Sequence, residues 1–163
     1  MIVGVVSDTH NNKKNINQII DLFNEESVDL VIHTGDICRA DILKSFSRLN
    51  APLMGVFGNN DRVEKGLEEV CIDQGFNFQE PPLSVSLKGK KVAIFHEPDL
   101  IGEYLKEHKD IDLVLFGHTH RYKEEKIGEA VFFNPGESAG LMKGKNALGI
   151  VNLDNLEIKR IFF

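Results

Sequence analysis

A chain of 163 residues, 42% apolar and 27% charged, is long enough to bury a real core and reads as a soluble globular protein, which excludes a disordered one. Its formal net charge of −6 disfavours a long polyanionic partner such as duplex DNA, which needs a basic footprint. Apolar runs of about five to seven residues are too short to span a bilayer, and with no basic or cleavable apolar leader visible the expected location is cytoplasmic.

The chain opens on Ile2 to Val6, a β-branched run too brief for a helix, which reads as a buried strand and ends in Asp8-Thr9-His10. Asn11 and Asn12 can cap a helix from about Lys13 to Glu26, with Ile16, Ile19, Ile20 and Phe23 at 3.6-residue spacing. Val28 to Ile32 is a second strand leading into His33-Thr34-Gly35-Asp36. A helix over Ala40–Leu49 and a strand over Leu53–Phe57 follow, the strand ending in Gly58-Asn59-Asn60-Asp61. This β-α-β-α-β order with short loops requires a parallel sheet with right-handed crossovers. A charged helix over Glu64–Gln74, an extended piece near Phe76 and Phe78, and a hairpin of Leu83–Leu87 with Lys91–Phe95 come next, and His96 closes the hairpin. A helix over Leu100–His108 precedes the strand Leu113–Phe116, which ends in Gly117-His118-Thr119-His120. The rest is β only: Tyr122–Ile127, Ala130–Phe133, Ala147–Leu153 and Glu157–Phe162. An α/β first half and a β-rich second half predict two sheets face to face with helices outside, in one domain over residues 1–163. Cys38 and Cys71 are too few for a disulfide framework and are expected to be buried or idle.

One pattern repeats along this order: an apolar run followed at once by ligand-type side chains. Asp8 and His10, Asp36, Asn59, His96, then His118 and His120 stand at five successive strand ends. Sites of open α/β sheets form outside the carboxyl ends of strands, where neighbouring loops converge. Taken singly, each motif has a bland explanation as a helix cap, a turn or a surface histidine. Taken together they exceed what one tetrahedral zinc needs, and they fit two metals sharing one carboxylate. With N and O donors only, the candidate ions are Mn, Fe, Zn, Ni and Co.

The ordered series S-D-T-H, T-G-D-I, G-N-N-D, F-H and G-H-T-H, with the late Asn134-Pro135-Gly136 turn, resembles the calcineurin-like metallophosphoesterase superfamily over essentially the whole chain. The small, cap-less YfcE-like branch of bacterial and archaeal phosphodiesterases is the nearest in pattern. The resemblance implies a four-layer α/β/β/α sandwich of two mixed sheets flanked by helices. It also implies a dinuclear centre, with Mn²⁺ the first expectation and Fe, Ni²⁺, Zn²⁺ or Co²⁺ the others. Carried over residue by residue, Asp8, His10 and His120 would hold one ion, Asn59, His96 and His118 the other, and Asp36 would bridge them. The implied reaction is hydrolysis of a small phosphodiester by a hydroxide bridging the metals. Asp36, Asn60 and His96 are the expected catalytic residues.

Two positions depart from the family pattern. Asn60 stands where many relatives carry a histidine assigned as general acid, and an amide donates no proton at useful cost. The neighbouring Asp61 is therefore expected to be structural, holding Asn60 or its own loop. Glu97-Pro98 replaces the Gly-His that often follows the ligand histidine, adding negative charge near the opening. His33 is expected beside the ligands or in the core, Arg39 at the surface, and Glu137 in a loop. The rival reading is an interaction scaffold, since a retromer subunit shares this fold with a degraded metal pattern; here all seven positions are intact. A nuclease is disfavoured by the acidic charge. The expected partner is a small phosphoester, with no membrane and no long nucleic acid, and a homodimer stands as a further expectation.

Overall fold

Alternation along β1 (Ile2–Val6) sets the layering. Val3 and Val5 enter one apolar cluster while Val6 enters another, so the strand is buried on both faces. The computed structural model describes residues 1–163. β2 (Leu30–His33) and β3 (Leu53–Val56) run parallel to β1, and β4 (Asn77–Gln79) runs parallel to β3. β10 (Ala147–Asn152) and β11 (Glu157–Phe162) return antiparallel on the other side, giving the six-stranded order β11-β10-β1-β2-β3-β4.

The second sheet has five strands in the order β5-β6-β7-β9-β8. β5 (Leu83–Leu87) and β6 (Lys90–Ile94) form the expected hairpin, turned at Lys88 and Gly89, both with positive φ. β7 (Leu113–Leu115) lies parallel to β6, and β9 (Ala130–Asn134) parallel to β7, with β8 (Lys123–Ile127) antiparallel at the edge. All five β8 residues are exposed and four are charged, which discourages pairing with another strand.

Three apolar clusters separate four layers. Ile16, Ile19, Ile20 and Phe23 of α1 (Lys13–Glu25), Ile42 and Leu43 of α2 (Ala40–Ser45), and Leu67 and Cys71 of α3 (Leu67–Gln74) cover the outer face of the first sheet. Val5, Ile32, Ile94, Leu115 and Phe133 meet between the sheets. α4 (Ile101–Glu107) covers Ala93, Phe95, Val114 and Phe132 on the far side. This is the four-layer α/β/β/α sandwich of two mixed sheets.

Element boundaries shift by one or two residues at several ends and differ most from the sequence-based expectation in two helices. α2 ends at Ser45 and tightens into a 3-10 turn over Phe46–Arg48, which keeps Phe46 buried. α3 begins at Leu67 because Gly66 sits at φ +87°, outside the helical region. Asn12 caps α1 as anticipated, its side chain accepting from Asn15 N. Ile161 and Phe163 at the C-terminus pack against the outer core of the first sheet.

Candidate metal centre

The parallel strands of each sheet end level, which carries the candidate ligands to one rim. Val6 pairs with His33, and His33 with Gly55, so Asp8, Asp36 and Asn59 leave the first sheet side by side. Ile94 pairs with Leu115 in the second sheet, so His96 and His118 leave it together. The rims are tied: His118 N donates to Asp8 Oδ2 at 3.0 Å, and His96 Nδ1 lies 2.8 Å from the Thr34 carbonyl. Two glycines permit this closeness. A Cβ at Gly58 would fall on the Asp36 carboxylate, and one at Gly117 on the Ser7 hydroxyl.

The donor atoms converge. Those of Asp8, His10 and His120 lie within 4.8 Å of one another, as do those of Asp8, Asp36 and His96. His10 Nε2 is 3.4 Å from His120 Nε2, and His120 Nε2 is 3.6 Å from Asp8 Oδ1. Asp36 Oδ2 faces both sets, 3.4 Å from His96 Nε2 and 3.9 Å from His10 Nε2. Asn59 Oδ1 sits 3.0 Å from both His96 Nε2 and His118 Nδ1. Five of these seven residues, Asp8, His10, Asp36, His118 and His120, hold positive φ between 44° and 66°. Non-glycine residues seldom adopt that region, and such strain clusters at functional sites.

Contacts behind the ligands fix which nitrogen points inward. A carbonyl only accepts, so His96 Nδ1 carries the proton and Nε2 presents its lone pair to the centre. His120 Nδ1 is 3.1 Å from Glu137 Oε2, which gives His120 the same orientation. His10 Nδ1 lies 3.2 Å from Cys38 Sγ. Asp8 accepts from the Ser7 hydroxyl at 2.5 Å.

The two central carboxyls are driven apart in acidity. Burial pushes Asp8 above the ordinary carboxylate range. Burial pushes Asp36 the same way, but the hydrogen bond and charge of His96, with the two N–H donors of Asn60, outweigh it and hold Asp36 well below that range. His96 is raised despite burial because Asp36 and Asp8 face it. Two buried carboxylates and imidazole lone pairs aimed at common points, with no thiolate among them, form a donor set that fits hard-to-borderline divalent cations.

The chain matches the model of the calcineurin-like phosphoesterase superfamily domain over residues 1–156. This protein belongs to that superfamily. Phosphodiesterase MJ0936 of Methanocaldococcus jannaschii is 33% identical to it over 163 residues, covering 99% of this chain and 98% of the relative. The solved structure of an archaeal phosphodiesterase superposes with a TM-score of 0.90 at 33% identity, covering all of both chains. YfcE, a phosphoesterase from Escherichia coli, superposes with a TM-score of 0.71 at 19% identity over 99% of this chain and 98% of that one, a likeness of fold. Membership in a metallophosphoesterase superfamily implies divalent metal ions, and the converging donors described above are candidates to hold them.

In this metallophosphoesterase all seven sequence-predicted ligand positions lie at one rim. Asn60 is there too, its side chain donating to Asp36 Oδ2 at 2.7 Å and its backbone N–H to Asp36 Oδ1 at 3.0 Å. Asp61 does hold a loop, and more than its own: it accepts from the backbone N–H groups of Asp36, Ile37, Cys38 and Gly58 at 2.7 to 2.8 Å. His33 is fully buried and bonded to Thr9 Oγ1 at 3.0 Å, behind the ligands. Arg39 is exposed and paired with Asp41. Glu97 is held by both terminal nitrogens of Arg62, so the added negative charge near the opening is paired.

Two residues escaped sequence reasoning. Glu137, expected in a loop, is 1% exposed with its carboxylate on His120 and on the Met142 N–H. Its only signal was an acid directly after Asn134-Pro135-Gly136, where a turn needs no charge. Cys38 is buried as expected, its thiol pushed up to about 12 by burial; what the sequence did not show is that it faces His10 as a neutral neighbour.

No helix is long and apolar enough to cross a membrane.

Proposed function

We propose that this protein is a divalent-metal-dependent phosphodiesterase acting on a small substrate. We assign Asp8, His10 and His120 to one ion, Asn59, His96 and His118 to a second, and Asp36 to the bridge between them, with Mn²⁺ as the first choice. The observation that carries this reading is the convergence of donor atoms from five strand ends of both sheets, with the inner nitrogens of His96 and His120 fixed by Thr34 and Glu137.

When bound, the ions supply Lewis acidity, activating water as nucleophile and offsetting phosphoryl charge. The protein's own residues do the rest. Asp36, held through both oxygens by the N–H donors of Asn60, presents Oδ2 to the centre. Asn59 offers an amide oxygen, which adds no negative charge and leaves the centre attractive to an anion. In hydrolysis the water oxygen bonds to phosphorus while the P–O bond to the leaving alcohol breaks. Asn60 has no proton to give that alcohol, so the departing oxygen takes one from solvent. Leaving groups of low pKa are therefore favoured, which suits activated diesters.

The net charge of −6 supports a small substrate over a long nucleic acid. A scaffold role is disfavoured because the buried carboxylates and the strained ligand backbones cost stability that a binding platform has no reason to retain. The test is hydrolysis of bis(p-nitrophenyl) phosphate beside p-nitrophenyl phosphate by Mn²⁺-loaded protein, with Asp36→Ala in parallel. Metal-dependent diester turnover abolished in Asp36→Ala is expected; an inert wild type with both esters overturns the reading.

A further inference from the structure

A small pocket of about 230 Å³ opens beside the metal centre, lined by His120, Arg121, Tyr122, Met142, Lys145 and Arg160. His120, assigned above to the first ion, forms one of its walls, so the pocket adjoins the centre. Three of the six lining residues are cations and no carboxylate is among them, in a chain of net charge −6.

None of these cations is neutralised. Of the five arginines in the chain, Arg39, Arg48 and Arg62 form ion pairs with carboxylates. The two that form none, Arg121 and Arg160, both line this pocket, and Lys145 is likewise unpaired.

Arg160 is also held in position. Its Nε donates to the Pro135 carbonyl at 3.1 Å, and its guanidinium lies 4.3 Å from the centroid of the Tyr122 ring and 4.4 Å from that of Phe162. Those contacts use the ring faces and one N–H, leaving the two terminal nitrogens as a fork of donors. Burial pushes the guanidinium below its ordinary value, the cost of keeping a cation there with no counter-charge. A preorganised arginine fork with a second arginine and a lysine is the donor set that suits a phosphate dianion.

We propose that this pocket is a second phosphate subsite, and that the substrate is a phosphodiester carrying a further phosphate on the organic group next to the scissile phosphoryl. The proposal rests on the phosphodiesterase reading. Arg121, Lys145 and Arg160 all line this pocket and would share the second anion. The single exposed diester of a simple aryl substrate would leave the pocket unused.

Two measurements test it. With Mn²⁺-loaded protein, kcat/KM is compared for thymidine 5′-(p-nitrophenyl phosphate) with and without a 3′-phosphate, which share leaving group and scissile phosphorus. At least a tenfold advantage for the 3′-phosphorylated ester is expected. In the Arg121→Gln/Lys145→Gln double variant, both positions being exposed, that advantage should disappear while turnover of bis(p-nitrophenyl) phosphate persists. Equal kcat/KM values in the wild type, or an advantage that survives the substitutions, overturns the proposal.

The second measurement is independent of catalysis: calorimetric titration of inorganic phosphate into the chelator-treated protein, with acetate as the carboxylate control. Binding that the Arg121→Gln/Lys145→Gln variant loses reports the subsite, since neither residue is among the candidate metal ligands. Phosphate binding lost in the double variant supports the proposal even if no ester is hydrolysed. Absence of phosphate binding, or equal binding of acetate, overturns it.

Discussion

Glu137 Oε2 lies 3.1 Å from His120 Nδ1, and Glu137 is 1% exposed. Its other oxygen accepts the Met142 N–H at 2.8 Å, so the carboxylate is fixed at both ends and backs the imidazole from behind. A carboxylate in that position sets the imidazole tautomer and raises the basicity of the inward nitrogen. Glu137→Gln keeps an acceptor but removes the charge, and should weaken metal binding on the order of 10–100-fold, the usual effect of losing such a partner. Glu137→Ala should cost more. Titration of the stripped protein with Co²⁺, read from its visible absorption, checks this; unchanged affinity in both variants would remove Glu137 from the metal centre.

Asp61 acts on the opposite side. Four backbone N–H groups from two loops end on its two oxygens, and they include the N–H of Asp36 itself. Burial pushes its carboxyl up against the pull of those donors. Asp61→Ala would leave the four N–H groups without partners in a region closed to water, at a cost of roughly 3–5 kcal/mol. Urea unfolding of the metal-free variant should show the lowered midpoint, and diester turnover should fall because the loop holding Asp36 is freed.

His33 makes acid stability measurable. Burial, then the nearby charge of His96, lowers its pKa from 6.5 to about 3, so it is neutral in the folded protein. The unfolded chain binds a proton at His33 below pH 6.5 and the folded one does so only near 3. Stability from this residue is thus complete above pH 6.5 and is lost as pH falls toward 3, by up to about 1.4 kcal/mol per pH unit for the one proton. In urea titrations of chelator-treated protein at pH 7, 6 and 5, His33→Gln should flatten this slope. An unchanged slope would mean that other groups carry the acid sensitivity.

Much of the fold was legible because it is written in local periodicity. The double-sided burial of β1 follows from an unbroken Val-rich run, and the amphipathic face of α1 from Ile16, Ile19, Ile20 and Phe23. Helix ends were less legible. Gly66 could have continued a weak helix or, as it does, stopped one at φ +87°, and a residue's choice between those wells depends on the chain around it.

The candidate ligands were readable for a different reason. A strand end is local, and a ligand-type residue directly after an apolar run announces itself wherever the strand goes. Glu137, Cys38 and the Arg121, Lys145 and Arg160 pocket carry no such mark. Glu137 lies 17 residues from His120 and Cys38 lies 28 from His10, and only the pairing and packing of strands distant in sequence brings such groups together. The sequence by itself determined the order of strands and the donors standing at their ends. Tertiary structure decided which nitrogen of each histidine faces inward, which carboxylate stays ionised, and where unpaired cations gather. Those properties belong to through-space contacts and local dielectric, which no span of neighbouring residues encodes.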